Sequence, residues 1–203
     1  VHIYIFRDRG IDALYELKKI TGMDYNCINF NDKKIWDTFR DYNKLFCYMP
    51  SYFNKSLFQQ IQPKSLEELC AIYGLTKSTF DFEEGKNLVE QIIKMKEYST
   101  RDDIYSFLLS KNIEKELAFE ITEFIRKGKA YNIKYSEQWD EYQKIMKKHN
   151  IDSIYIKKCK KIKYLFPKSN ILNSVVYLIK HIAYMAYYPE IAEKVISKAP
   201  RLF

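Results

Sequence analysis

The chain has little glycine, little histidine and no close pair of cysteines, and each scarcity removes a class of function. Five glycines in 203 residues leave no glycine-rich loop. That excludes a Walker phosphate loop and a Rossmann fingerprint, which both need bare backbone beside the phosphate. His2, His149 and His181 are scattered, and Cys27, Cys47, Cys70 and Cys159 lie 20 or more residues apart. Without a C-x-x-C pair a structural zinc site is not expected, and widely spaced cysteines with no secretory segment fit reduced thiols in the cytoplasm. No run reaches the roughly 18 apolar residues that span a membrane. The nearest, residues 171–188, is interrupted by Asn173, Lys180 and His181 and reads as a buried helix. The first residue is Val1 rather than Met, so the chain reads as a trimmed or processed piece.

What is present points to a packed, basic protein. Apolar residues make up 47% and charged residues 30%, the profile of a soluble globular chain of one large or two small domains. Lysine and arginine number 34 against 26 acids, a net charge of +8, which favours an anionic partner if the excess is clustered. Aromatics reach 16%, with 18 tyrosines. That richness fits base stacking, and it equally fits an AT-rich coding sequence, which inflates Lys, Ile, Asn, Tyr and Phe.

The charge is densest in residues 156–168, I-K-K-C-K-K-I-K-Y-L-F-P-K, where six of thirteen are lysines. Helical spacing puts Ile156, Cys159, Ile162 and Leu165 on one face with the lysines around the rim, until Pro167 ends the pattern. Such a rim suits a polyphosphate or nucleic-acid backbone, or is a solvated face on an ordinary core helix. Cys159 reads as a buried structural cysteine, since no histidine or acid is placed to activate it.

Nearly all the rest is helical. Residues 1–6, V-H-I-Y-I-F, alternate and form the one convincing strand signal. Helices are predicted over residues 11–20, closing at Gly22, and after Asn31 and Asp32, carrying Ile35, Trp36 and Phe39. Further helices open at Pro50 and Ser51 and after the capping box at Ser65, the latter stopping at Gly74. Residues 76–85 read as a loop and residues 86–98 as a helix. Thr100 caps a helix to Ser110, with Asp102 and Asp103 as helix-start acids rather than a metal pair, because adjacent helical residues diverge. Another helix runs from Asn112 to Arg126 and stops at Gly128. Residues 136–150, the basic stretch capped by Asp152, residues 171–188, and a short helix between Pro189 and Pro200 complete the chain. The prediction is an all-α, mainly helical fold of about ten helices with a short N-terminal strand remnant, in two parts, residues 1–98 and 99–203.

In order along the chain stand Thr100-Arg101-Asp102-Asp103-Ile104, Leu117-Ala118-Phe119, Arg126-Lys127-Gly128-Lys129, and Cys159 through Lys168. Upstream lie Leu17 to Asp24, Gln62-Pro63-Lys64-Ser65-Leu66-Glu67-Glu68-Leu69 and Gly74-Leu75-Thr76. Together these resemble the fingers of the C-family replicative polymerase, the PolC-type DNA polymerase III α subunit, over roughly residues 1–189. The resemblance implies that residues 1–98 hold a palm edge and the first fingers helices, and that 99–203 form the basic fingers-like part. It further implies a DNA-replication role, with Arg101, Arg126, Lys127, Lys129, Lys160, Lys161, Lys163 and Lys168 facing nucleotide or DNA phosphates. Arg126, Lys127 and Lys129 around Gly128 equally suit a plain role at a helix C-terminus.

The departures fall on chemistry. Where the family's last palm strand carries a metal-binding aspartate, this chain has Tyr4, and a neutral phenol cannot replace a carboxylate on magnesium. Asp8 lies four residues on. The family's R-I-S-G-L-S-H-G-T becomes Ala71 through Thr79, losing an arginine and a histidine, and its F-P-K-A-H becomes Phe166-Pro167-Lys168-Ser169-Asn170. The expected reading is therefore a piece without catalytic residues, metal or cofactor of its own. It binds DNA weakly and without sequence preference, beside other replication proteins or a palm-bearing chain, and does not polymerise alone. The alternative is a diverged paralogue that serves as a protein-interaction module.

Overall fold

Helix ends in this protein are set by capping residues that the sequence already displays. The computed structural model describes residues 9–41, 58, 60–82 and 87–198. Helix α1 spans Arg9–Thr21 and is closed by Gly22 at φ +74°. Helix α2 spans Lys33–Asp41 and is started by Asp32, whose Oδ1 accepts from the Lys34 amide at 2.9 Å. Then come α3 (Leu66–Lys77), strand β1 (Thr79–Phe80) and α4 (Leu88–Lys94), the last capped by the Asn87 side chain. A 3-10 turn, Lys96–Tyr98, leads to α5 (Arg101–Ser110). There Thr100 and Asp103 form a reciprocal capping box.

Helix α6 (Lys115–Arg126) is capped by Glu114, and α7 (Ser136–Lys148) follows a second 3-10 turn at Ile133–Tyr135. Helix α8 (Ser153–Lys160) begins at Asp152, which accepts from the Ile154 amide at 2.6 Å. Strand β2 (Ile162–Tyr164), α9 (Lys168–Tyr187) and α10 (Pro189–Ile196) complete the order. The fold is mainly α, with ten α-helices and one two-stranded sheet among the described residues. The strand expected at residues 1–6 and the helix expected from Pro50 lie outside those residues.

Four local expectations are corrected. Gly74 does not stop a helix. It lies inside α3, where a Cβ would stand 2.7 Å from the Ser99 carbonyl oxygen, so glycine is there for close packing. Residues 76–85 are not all loop, because Thr79 and Phe80 pair antiparallel with Tyr164 and Ile162, with a register irregularity between them. Helix α6 starts three residues after Asn112, which instead takes φ +59° and closes α5 through Asn112 N–H to Leu109 O at 2.9 Å. The basic stretch is also not one helix. It turns at Lys161 into β2, so Ile156 and Cys159 are buried by helical spacing and Ile162 by strand geometry. A short apolar pattern fits both periods, and the β-branched and aromatic residues 162–166 fit the strand better.

The chain forms two compact units, one of residues up to Leu66 with those from Ser174 onward, the other Glu67–Asn173. This grouping differs from a cut at residue 98 because the C-terminal helices return to the N-terminal ones, with α10 packed on α1. The first unit buries Leu17, Ile35, Phe58, Ile179, Ile182 and Tyr184. His181 is buried there too, its Nδ1 2.9 Å from the Tyr177 carbonyl and its Nε2 3.2 Å from that of Gly10. The second unit is built around Leu69, Ile104, Leu108, Ile121, Ile125, Cys159 and Leu165. Its aromatics stack: Tyr155 lies 3.9 Å from Phe107 and 4.7 Å from Tyr98, and Phe124 packs on Trp139 and Tyr142. Tyr73, Tyr98, Tyr142, Tyr155 and Tyr184 are core, while Tyr15, Tyr131, Tyr164 and Tyr187 are exposed.

Replacing Gly74 with alanine forces α3 away from the Ser99 backbone. Gly74→Ala is expected to lower stability by about 1–3 kcal/mol in urea unfolding. An unchanged midpoint would show that the Ser99 segment yields freely.

Candidate nucleic-acid interface

One extended segment, residues 162–167, carries the site. It is too short to be stable alone and is fixed by backbone partners from four directions. It pairs with β1. The Phe166 amide donates to Ser78 Oγ at 3.4 Å, the Leu165 amide to the Arg126 carbonyl at 3.1 Å, and the Arg101 amide to the Phe166 carbonyl at 3.0 Å. Gly128 passes so close that a Cβ there would lie 2.3 Å from the Lys163 carbonyl oxygen. Its φ of +69° is a second reason for glycine.

The arrangement brings most of the predicted basic residues into two groups, one at each end of this segment. At one end Arg126 places Nε and Nη2 on the two carboxylate oxygens of Glu123, each at 2.7 Å, with its guanidinium 5.6 Å from the Tyr164 ring. Lys127 reaches the same carboxylate at 3.2 Å, and Lys163 pairs with Asp81 at 2.8 Å while lying 4.6 Å from the Tyr131 ring. At the other end the Lys168 amide donates to Asp102 at 2.6 Å and its Nζ to Asp103 at 3.3 Å, beside Arg101, which pairs with Asp102 at 3.1 Å. Lys163 and Lys168 are five residues apart, so their Cα atoms lie within about 18 Å of each other.

Three predicted residues are not gathered in this way. Lys129 turns toward the Phe124 and Tyr135 rings, at 5.9 and 5.1 Å. Lys160 is exposed at the end of α8, and Lys161 lines a separate cleft beside Phe80. Sequence reasoning also missed Lys77, which stands 5.3 Å from the Phe166 ring and 5.5 Å from Tyr73. By the resemblance, Lys77 stands where the family's pattern has a histidine, which was a signal for it. Glu123 was missed as well, although its spacing to Arg126 and Lys127 on one helix is a standard pairing geometry.

Electrostatically the site is a set of cations each held by an acid. The Arg126 guanidinium, against some opposition from burial, holds the Glu123 carboxyl below the usual range. Burial pushes Asp102 up, but the Lys168 amide and Arg101 outweigh it and the net direction is down. Asp81 raises the Lys163 ammonium. Lys127 and Lys168 have side chains 52% and 57% exposed, and exposed pairs of this kind are weak enough for a phosphate to displace.

Among the described residues no three or more His, Cys, Asp or Glu side chains come together to hold a metal, and Asp81, Asp102, Asp103 and Glu123 are each bonded to cations. Cys27, Cys70 and Cys159 are free thiols. Burial raises Cys70 to about 11 and Cys159 further still, so neither is a thiolate near neutrality. Among the described residues no helix is long and apolar enough to cross a membrane.

Set beside known proteins, the chain matches a segment of PolC-type DNA polymerase III. PolC-type DNA polymerase III of Clostridium perfringens is 30% identical over 201 residues, covering 88% of this chain and 13% of the polymerase. The corresponding protein of Caldanaerobacter subterraneus is 31% identical over 192 residues, covering 86% of this chain and 13% of its own length. That of Bacillus subtilis is 35% identical over 135 residues, 65% of this chain and 9% of the polymerase. No family model matches the chain. The chain is a relative of PolC-type DNA polymerase III and corresponds to a small part of it.

The Glu123–Arg126 pair gives a pH signature. Because the folded carboxyl sits below its ordinary value, the pair's stabilisation is complete above that value and is lost as pH falls through the folded one. Glu123→Gln is expected to lower stability near pH 7 by about 1–2 kcal/mol. The gap from the parent should close in acid, read as Tm against pH for both proteins. A gap that persists in acid would show that the loss is packing, not charge.

Proposed function

We propose that this chain is a fingers-like, cytoplasmic relative of the PolC polymerase segment that binds DNA or nucleotide phosphates during replication and does not polymerise by itself. The observation that carries the reading is the placing of Arg126, Lys127 and Lys163 at one end of residues 162–167 and Arg101 and Lys168 at the other. A strand with cations at both ends offers a backbone of phosphates successive contacts. Similarity to a DNA polymerase supplies the ligand class. Catalytic carboxylates and their magnesium would come from a palm-bearing chain, since Tyr4 stands where the resemblance places an aspartate.

Binding should be weak, at micromolar affinity or poorer in physiological salt, and indifferent to sequence, because phosphate contacts position without specifying. Each neutralised phosphate contributes about −0.7 to −0.9 to the slope of log K against log salt. The double variant Lys127→Gln, Lys163→Gln should reduce that slope by about one to two and weaken binding to all oligonucleotides alike. Fluorescence anisotropy across a salt series reads both, and a slope near zero for the parent would end the phosphate reading.

Primer extension gives an independent check. The purified chain, supplied with primed template, all four nucleotides and magnesium or manganese, should add no nucleotide. Templated incorporation that survives repurification would overturn the non-catalytic assignment.

A further inference from the structure

We propose that a cleft between β1, α4 and α8 docks an acidic peptide segment of a protein partner through one aromatic or leucine anchor. The cleft holds about 220 Å³. Its floor is Phe80, 8% exposed and stacked on Phe82 with centroids 5.4 Å apart, together with the buried Met95. A dry cavity of about 150 Å³ takes a benzene ring, so one large side chain fits here. Methionine lets the floor adapt to the anchor's shape.

The rim is cationic, formed by Lys94, Lys158 and Lys161. Lys158 is fixed in place, donating to the Lys94 carbonyl at 2.8 Å with its Nζ 5.2 Å from the Tyr98 ring. The Lys94 ammonium lies 3.9 Å from Glu90, with the two side chains 70% and 67% exposed, a pair that an incoming carboxylate displaces at little cost. An apolar hole ringed by lysines is complementary to an apolar side chain flanked by aspartate or glutamate.

A nucleobase suits the cleft less well. Its edge carries donors that need acceptors when buried, and lysine supplies donors only. The other polar side chains of the lining are Asp81 and Gln91, and the Asp81 carboxylate is already held by Lys163 at 2.8 Å. A phenylalanine or leucine anchor brings no such demand.

The probe is a short fluorescein-labelled peptide of aspartate and glutamate with one central phenylalanine, titrated with the whole chain at low salt. Anisotropy should rise to saturation, and replacing the peptide's phenylalanine with serine should weaken binding about tenfold or more. Phe82→Ala and Lys94→Glu should each do the same. Lys94 is exposed enough that its variant tests the rim even if Phe82→Ala fails to fold. Lys127→Gln with Lys168→Gln should leave the peptide bound, and Lys94→Glu should leave oligothymidine binding as it was, which separates this cleft from the phosphate site. Absence of peptide binding, binding indifferent to the central phenylalanine or to Lys94, or oligothymidine binding that depends on Phe82 would each overturn the proposal.

Discussion

Everything in the basic half of this protein depends on the backbone contact between Gly128 and Lys163. A helix C-terminus and a strand that meet without an intervening side chain are locked in angle and register, because any Cβ would occupy the space of the Lys163 carbonyl. From that junction the strand runs to the Arg101 amide, so the ends of α5 and α6 are tied through one stretch of chain rather than through long side chains. Lysine and arginine have the most rotamer entropy to lose on binding. Fixing their Cα positions on such a frame lowers that loss.

The acids facing those cations serve the same end. Glu123 engages the Nε and Nη2 edge of Arg126, so the guanidinium is held in one orientation against Tyr164. A phosphate arriving there must compete with a carboxylate, which costs affinity but favours ligands carrying several charges over single anions.

Much of the helical layout was legible because capping is local chemistry. Thr100 with Asp103, Asp152 and Asp32 announce their helices in three or four letters, and the structure uses each. The strand pair was not legible. Thr79 and Phe80 meet Tyr164 and Ile162 from far along the chain, and Ile156, Cys159, Ile162 and Leu165 satisfy helical spacing although only the first two lie on a helix. Gly74 misled for a related reason, since a glycine that ends a helix and one that admits a neighbouring backbone look alike in sequence. At the site, Arg126 and Lys127 stood out as a motif, whereas their meeting with the strand that carries Lys163, the Asp81 partner of Lys163 and the inward turn of Lys129 follow from tertiary packing.

By the resemblance, the positions kept and changed against the polymerase pattern fall on both the frame and the surface, since Tyr73, a changed position, is 1% exposed in the core. Gly128 and the Phe166-Pro167-Lys168 turn are retained, and each is a place where backbone meets backbone or a helix starts. The changed positions include Lys77, a residue that offers a side chain to a surface rather than to the core. Lys77 replaces an imidazole by a full positive charge over Phe166 and Tyr73, which strengthens attraction to anions and removes a group able to accept a proton near neutrality.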